Sequence, residues 1–200
     1  MNLIIIAKYN ENLSWVKFID KTKNKILIYN KGPHITLPET TLEHITLPNI
    51  GRESDTFLQA IISNYDNLSD YEHIIFLQGD PFSHFSSVVK FVNSPEEITD
   101  DITFLSDWYV TDNIDGLPHH SAGLDIKTLL DAAKIPYSVD DKFNFAAGAQ
   151  YCVHRDLVLN KPVEWWKHLY SVHTKFLDKN SPYIFERIWP IIWDTNCGLC

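Results

Sequence analysis

Two apolar patterns alternate along this chain: short runs in which nearly every position is apolar, and stripes in which apolar residues recur three and four positions apart. Runs of the first kind suit strands buried in a parallel sheet, and stripes of the second kind suit helices laid on its faces. Residues 3–7 (LIIIA) and 25–29 (KILIY) predict the first two strands, with Trp15, Phe18 and Ile19 between them as the stripe of a short helix. Strand, helix and strand in that order form a βαβ unit with a right-handed crossover. Residues 34–46, β-branched and interrupted by proline, read as irregular.

The chain is organised around residues 47–85. A polar turn with Asn49 and Gly51 leads into a helix over 54–65, with Phe57, Leu58, Ile61, Ile62 and Tyr65 on one face. A strand over 73–77 follows and stops abruptly at Gln78, Gly79 and Asp80. Pro81 marks a helix start, and Phe85, Val88, Val89 and Val92 continue a helical stripe. Further on, residues 102–105 read as a strand, and residues 113–123 as a loop at the mouth of the site. Ile126, Leu129, Leu130 and Ala133 mark a helix, and the small residues 146–149 precede another strand. Residues 163–177 and 183–192 read as aromatic-rich helices. With no internal repeat or linker, the 200 residues are expected to form a single α/β domain, a mostly parallel twisted sheet flanked by helices.

Composition narrows the function. At 44% hydrophobic and 22% charged residues the chain has the make-up of a globular protein. A net charge of -9, without a dense Lys/Arg cluster, argues against a nucleic-acid partner. The apolar run after Asn2 is too short for a signal peptide or a membrane anchor, and no stretch approaches a membrane span. Three cysteines are too few for a disulfide framework, and Cys197-x-x-Cys200 is only half of a zinc signature, so a cytoplasmic location is expected. The ending at Cys200 lacks a polar tail and suggests the amino-terminal part of a longer protein.

Candidate chemistry gathers where the strands end, because ligands of open α/β sheets bind outside the carboxyl ends of the strands. Asp80 is placed either to cap the following turn or to hold Mg²⁺ or Mn²⁺, which need only one or two protein carboxylates when a diphosphate supplies further oxygens. Arg52 and Glu53 open a helix, so Arg52 is either a solvated cation or a group facing an anion at the helix amino terminus. Residues 146–150 suit close packing or a floor beneath a sugar, with Gln150 bonding a hydroxyl. Glu186, inside an apolar helix, needs either a basic partner such as Arg187 or a function. His84, His119 and His120 are lesser candidates for ligands. No nucleophile elbow and no P-loop is present.

The succession LIIIAKYNEN, ILIYNKG, LPNIGRES, IIFLQGDP, FAAGAQ and FERIW resembles a GT-A type nucleotide-sugar glycosyltransferase. More closely, it is similar to a small glycosyltransferase-like family of fungi and large DNA viruses, among them chloroviruses, where members help build the capsid glycan. The similarity covers nearly the whole chain, and its most specific pieces are LPNIGRES, FLQGDPF, AAGAQ and ERIWP. The resemblance implies a GT-A like fold and metal-dependent transfer from a UDP-sugar to a glycan or glycoprotein acceptor. It implies that Gln78, Gly79 and Asp80 stand where the superfamily keeps its Asp-x-Asp motif, with only Asp80 left to hold the metal. Ala7, Lys8 and Tyr9 would cradle the uridine, Arg52 would lie near the donor sugar and phosphates, and Glu186 would lie beside the acceptor as a base. Trp165, Trp166 and Trp189 would either stack on a glycan or fill the core. The glutamine at position 78 keeps open a second reading, a glycan-binding or assembly domain without turnover.

Overall fold

Strand β1 (Asn2–Lys8) is the axis of the molecule. It pairs in parallel with β2 (Asn24–Asn30) on one side, and β2 in turn pairs in parallel with the short strand β3 (Glu43–Thr46). Helix α1 (Arg52–Asn64) carries the chain to β4 (His73–Gln78), which pairs in parallel with β1 on its other side. The next elements are α2 (Val88–Asn93), β5 (Ile102–Phe104), β6 (Tyr109–Asn113), α3 (Ile126–Ala133), β7 (Lys142–Ala146) and β8 (Tyr151–His154). The chain finishes with α4 (Arg155–Leu159), α5 (Val163–Lys175) and α6 (Ser181–Asp194). The computed structural model describes residues 1–33, 42–115, 123–138 and 142–194.

The main sheet has six strands in the order β3-β2-β1-β4-β8-β5, with β8 antiparallel to both of its neighbours. A separate two-stranded antiparallel sheet pairs β6 with β7. Alternation along β1 divides the interior in two. Leu3 and Ile5 join a large cluster with α1, α3, α5 and α6, whereas Ile4 and Ile6 join a smaller one with α2 and Trp15. Both faces of β1 are therefore covered, as its uninterrupted apolar run requires. Trp165, Trp166 and Trp189 are all buried in the larger cluster, and Trp189 stacks on Trp193 with ring centroids 5.0 Å apart. Of their two expected roles, these three fill the core.

Several expectations shift. The stripe at Trp15, Phe18 and Ile19 becomes a 3-10 turn, Ser14–Phe18, in which Phe18 is 61% exposed while Trp15 and Val16 stay inside. Pro81 starts another 3-10 turn, Pro81–Ser83, and the α-helix waits until Val88. The edge strand β3 lies within the segment read as irregular, while β6 and α4 were not anticipated. His119, His120, Cys197 and Cys200 fall outside the described residues. Among the described residues no helix is long and apolar enough to cross a membrane.

The two-stranded sheet is tied to α6 by one buried cation. Arg187 Nε lies 3.5 Å from Asp112 Oδ2, with side-chain exposures of 6% and 0%, and its guanidinium sits 4.9 Å from the centre of the Phe145 ring. Arg187 Nη1 also donates to the Tyr183 carbonyl at 2.7 Å. Removing one partner of a buried pair strands the other charge in a poorly solvating interior. Arg187→Met is therefore expected to lower the unfolding free energy by about 3 kcal/mol. Urea titration followed by circular dichroism checks this, and a midpoint equal to that of the native chain would contradict it.

Candidate functional site

The chain runs outward from β1 through β2 to β3 and then returns to add β4 on the opposite side, so the connections diverge at the carboxyl ends of β1 and β4. A cleft opens at that point, as the strand order leads one to expect. Its volume is about 270 Å³, and Ala7, Lys8, Tyr9, Arg52, Glu53 and Gln78 are among its lining residues. Five of the residues expected to meet a nucleotide sugar are thus brought together.

The floor is built by Lys31, at the end of β2. Its backbone amide donates to the Lys8 carbonyl at 2.8 Å, and Gly32 passes so close to Tyr9 that a Cβ there would sit 1.8 Å from the Tyr9 carbonyl oxygen. The Lys31 ammonium spends all three protons underneath the start of α1, donating to the Ile50 carbonyl, the Arg52 carbonyl and Asp55 Oδ2, each at 2.6 Å. Burial lowers the pKa of this lysine, and the Asp55 carboxylate opposes the shift. The loop drawn down onto Lys31 takes two consecutive left-handed residues, Gly51 (φ 64°) and Arg52 (φ 52°). Such a conformation at a residue with a side chain costs about 1–2 kcal/mol and persists only where neighbours enforce it.

The turn aims Arg52 along the rim. Its Nη1 donates to the Tyr183 hydroxyl at 2.8 Å, its guanidinium carbon lies 4.9 Å from the centre of that ring, and its Nε is 3.6 Å from Glu53 Oε2. Burial alone would lower the Arg52 pKa, but Glu53, Tyr183 and Glu186 together raise it. The pKa of Glu53, 13% exposed, is raised as well, but from a different cause: loss of solvent pushes its carboxyl up, against the pull of Arg52. The cleft thus holds a fixed cation beside a carboxylate of raised pKa.

The opposite wall hangs on Gly148. Gln78 Nε2 donates to the Gly148 carbonyl at 2.8 Å, and the Gly148 amide donates to Glu186 Oε1 at 2.8 Å. Gly148 has φ 90°, and a Cβ there would lie 2.5 Å from the His84 ring. Glycine is required twice over, for its dihedral and for its bareness. A glutamine at position 78 has a physical reason, since an ionised carboxylate could not donate to the Gly148 carbonyl. Glu186 is half-buried and reaches the cleft residues through its field on Arg52 and Glu53.

Gln150, Asp80 and Gly79, like Glu186, do not line the cleft. Gln150 is fully buried, accepting from the Gln78 amide at 3.1 Å and donating to the carbonyls of Pro81 and Leu105, both at 3.3 Å. It staples the ends of β4 and β5 and is not placed to meet a sugar hydroxyl. Asp80 accepts from the Phe82 amide at 3.3 Å as a cap and faces a neighbouring groove that Glu11, Asn12, Ser14, Trp15 and Phe82 also line. Gly79 is buried between them, its carbonyl taking the Trp15 indole proton at 2.9 Å, and a Cβ on it would meet Glu11 Oε2 at 2.6 Å. His84, a candidate ligand by sequence, wedges between Gly148 and Trp108.

Glu11 was not anticipated. It lines both the cleft and the groove, and its Oε2 accepts from the Tyr9 amide at 2.6 Å. The available signal was an acid in the polar turn after the first strand. Among the described residues no group of three or more His, Cys, Asp or Glu side chains is placed to hold a metal. Asp80 and Glu11 instead offer a pair of hard oxygen donors on one groove, a set that suits Mg²⁺ or Mn²⁺ when a ligand's phosphates complete the shell.

Two outcomes follow from this geometry. Gln78→Glu sets a carboxylate against the Gly148 carbonyl and is expected to destabilise the fold by about 1–3 kcal/mol, read as a lowered urea midpoint at pH 7. His173, fully buried beneath Gly51, has its pKa lowered by burial from 6.5 to about 4. The unfolded ring gains a proton below pH 6.5 while the native ring stays neutral, so stability falls on acidification and the loss is complete near pH 4. The loss from this group approaches about 3 kcal/mol. Urea midpoints at pH 7 and pH 4.5 should therefore diverge less in His173→Asn than in the native chain, and equal divergence would contradict the assignment.

In comparisons with known proteins no family model matches the chain, no curated protein matches it, and no solved structure matches it.

Proposed function

We propose that this chain is a glycosyltransferase that moves a sugar from a UDP-sugar to a glycan or glycoprotein acceptor, with Mn²⁺ or Mg²⁺ bound beside the donor diphosphate. The observation that carries the reading is the cleft between the ends of β1 and β4, where Lys8 and Arg52 stand with the half-exposed ring of Tyr9. Two cations suit a diphosphate, and an aromatic face suits a nucleobase. In this reading Asp80 and Glu11 hold the cation. The cation, when bound, offsets the negative charge that grows on the departing diphosphate.

The remaining roles belong to the chain itself. Arg52, fixed by its left-handed backbone and by Tyr183, meets the diphosphate without reorganising, and such preorganised charge is the main source of transition-state stabilisation. Lys8, whose ammonium donates to the Tyr9 carbonyl at 2.8 Å, adds a second positive group at the end of β1. Glu186, held by the Gly148 amide, orients the acceptor hydroxyl and takes its proton where the reaction inverts. The cytoplasm is the compartment that accords with this reading, and assembly of a viral capsid glycan is the role the family resemblance attaches to it.

Gln78 gives the alternative its footing. Its amide is committed to Gly148, so the first position of the acidic motif does not serve a metal, as it need not in a glycan-binding domain without turnover. Calorimetry with UDP decides the binding part. The native chain is expected to bind UDP with Mn²⁺, Asp80→Ala to lose about tenfold or more of that affinity, and Arg52→Ala to lose a similar factor with or without the metal. Unchanged binding in both variants would overturn the reading. Release of UDP from a panel of UDP-sugars separates turnover from binding alone.

A further inference from the structure

Of the chain's aromatic side chains, two neighbours stand out to solvent where the sequence drew no attention to them: Trp108, 53% exposed, and Tyr109, 55% exposed. An exposed indole on a loose loop means little, but this one is anchored. Ser106 Oγ donates to the Trp108 carbonyl at 2.7 Å and accepts from the Trp108 amide at 3.3 Å. The preceding Asp107 amide donates to the His84 carbonyl at 2.6 Å, and Asp107 Oδ2 accepts from the Ser86 amide at 3.1 Å. Tyr109 begins β6 and sets its ring edge-on to Phe104, with centroids 5.7 Å apart. The backbone is held on both sides while the ring surfaces stay uncovered.

A relay of contacts leads from this position towards Glu186. The Trp108 ring meets His84 edge-on, with centroids 6.1 Å apart, His84 presses on Gly148, and the Gly148 amide holds Glu186. Asp107 adjoins Trp108 in the chain, and the whole chain carries -9. That charge repels an anionic partner and offers acceptors to hydroxyl groups. Flat aromatic faces with a carboxylate adjoining them in the chain match a neutral ring with apolar C–H faces and an equatorial belt of hydroxyls. Holding the indole beforehand reduces the entropy lost on binding.

We propose that Trp108, with Tyr109, is a saccharide-stacking platform that seats a pyranose ring of the acceptor glycan, on a surface linked to Glu186 through His84 and Gly148. Its acceptor role rests on the glycosyltransferase reading, whereas saccharide binding itself does not. The probes are methyl glucoside, methyl mannoside, methyl xyloside and their β-linked disaccharides, titrated at millimolar concentration into the ¹⁵N-labelled chain. The indole N–H resonance of Trp108 is identified by its loss in Trp108→Ala. At least one probe is expected to shift that resonance and to show saturation transfer to its C–H protons, with Trp108→Ala weakening binding at least tenfold and Trp108→Phe restoring part of it. Trp108 is solvent-facing, so an unchanged thermal midpoint is expected in both variants and confirms that they fold.

UDP binding with Mn²⁺ is measured on the same samples. Saccharide binding lost in Trp108→Ala while UDP binding is kept supports the platform. Saccharide binding at Trp108 in a chain that does not bind UDP also supports the platform and overturns the donor reading alone. UDP binding without any saccharide shift at Trp108, or saccharide binding equal in Trp108→Ala and the native chain, overturns the platform.

Discussion

The cleft depends on one buried ion pair. Lys31 and Asp55 meet at 2.6 Å with side-chain exposures of 4% and 0%, and around that contact the end of β2, the loop before α1 and the first turn of α1 are held to a single arrangement. An ammonium in such a place has no water to satisfy it, so the backbone carbonyls of Ile50 and Arg52 must come to it. Their approach is what bends the chain into two left-handed residues and turns Arg52 toward the rim. The pair contributes less through its own attraction than through the geometry it excludes, since a buried charge tolerates few alternatives. His173, beneath Gly51, keeps a neutral ring there because burial disfavours its charged form more than the Asp55 carboxylate favours it.

The sheet was readable from the sequence wherever burial is two-sided. β1 and β4 carry uninterrupted apolar runs because both of their faces are covered, and α1 shows its inward stripe because only one of its faces is. Legibility fades where tertiary contacts decide. The half-exposed β6 has Tyr109 outward and Asp112 buried against Arg187, a pattern that periodicity does not announce. Phe18 and Ile19 look helical in sequence, yet a 3-10 turn of five residues does not keep the 3.6 period on which such a stripe relies.

Within the site, residues at strand ends were legible and residues that act through others were not. Ala7, Lys8, Tyr9 and Gln78 follow from where the strands stop. Glu11 and Gly148 act through contacts between segments distant in sequence, the first across to Gly79 and the second to Gln78 and Glu186. Gln150 illustrates the converse. A polar residue between small ones resembles a ligand contact in sequence, but three strand and turn ends with free backbone groups make the same demand of a buried amide. Tryptophan count is equally uninformative about glycans, because Trp165, Trp166, Trp189 and Trp193 together fill the large cluster behind the sheet.

Gly148 has a consequence for how the chain tolerates change over evolutionary time. One residue links Gln78 to Glu186, giving its carbonyl to the first and its amide to the second, while its bare α-carbon accepts the His84 ring. A substitution at any of the four positions therefore alters the constraint on the other three, and effects at neighbouring sites that share partners do not add independently. Positions 78, 84, 148 and 186 are therefore expected to tolerate change as a set, although the sequence scatters them over more than half of its length.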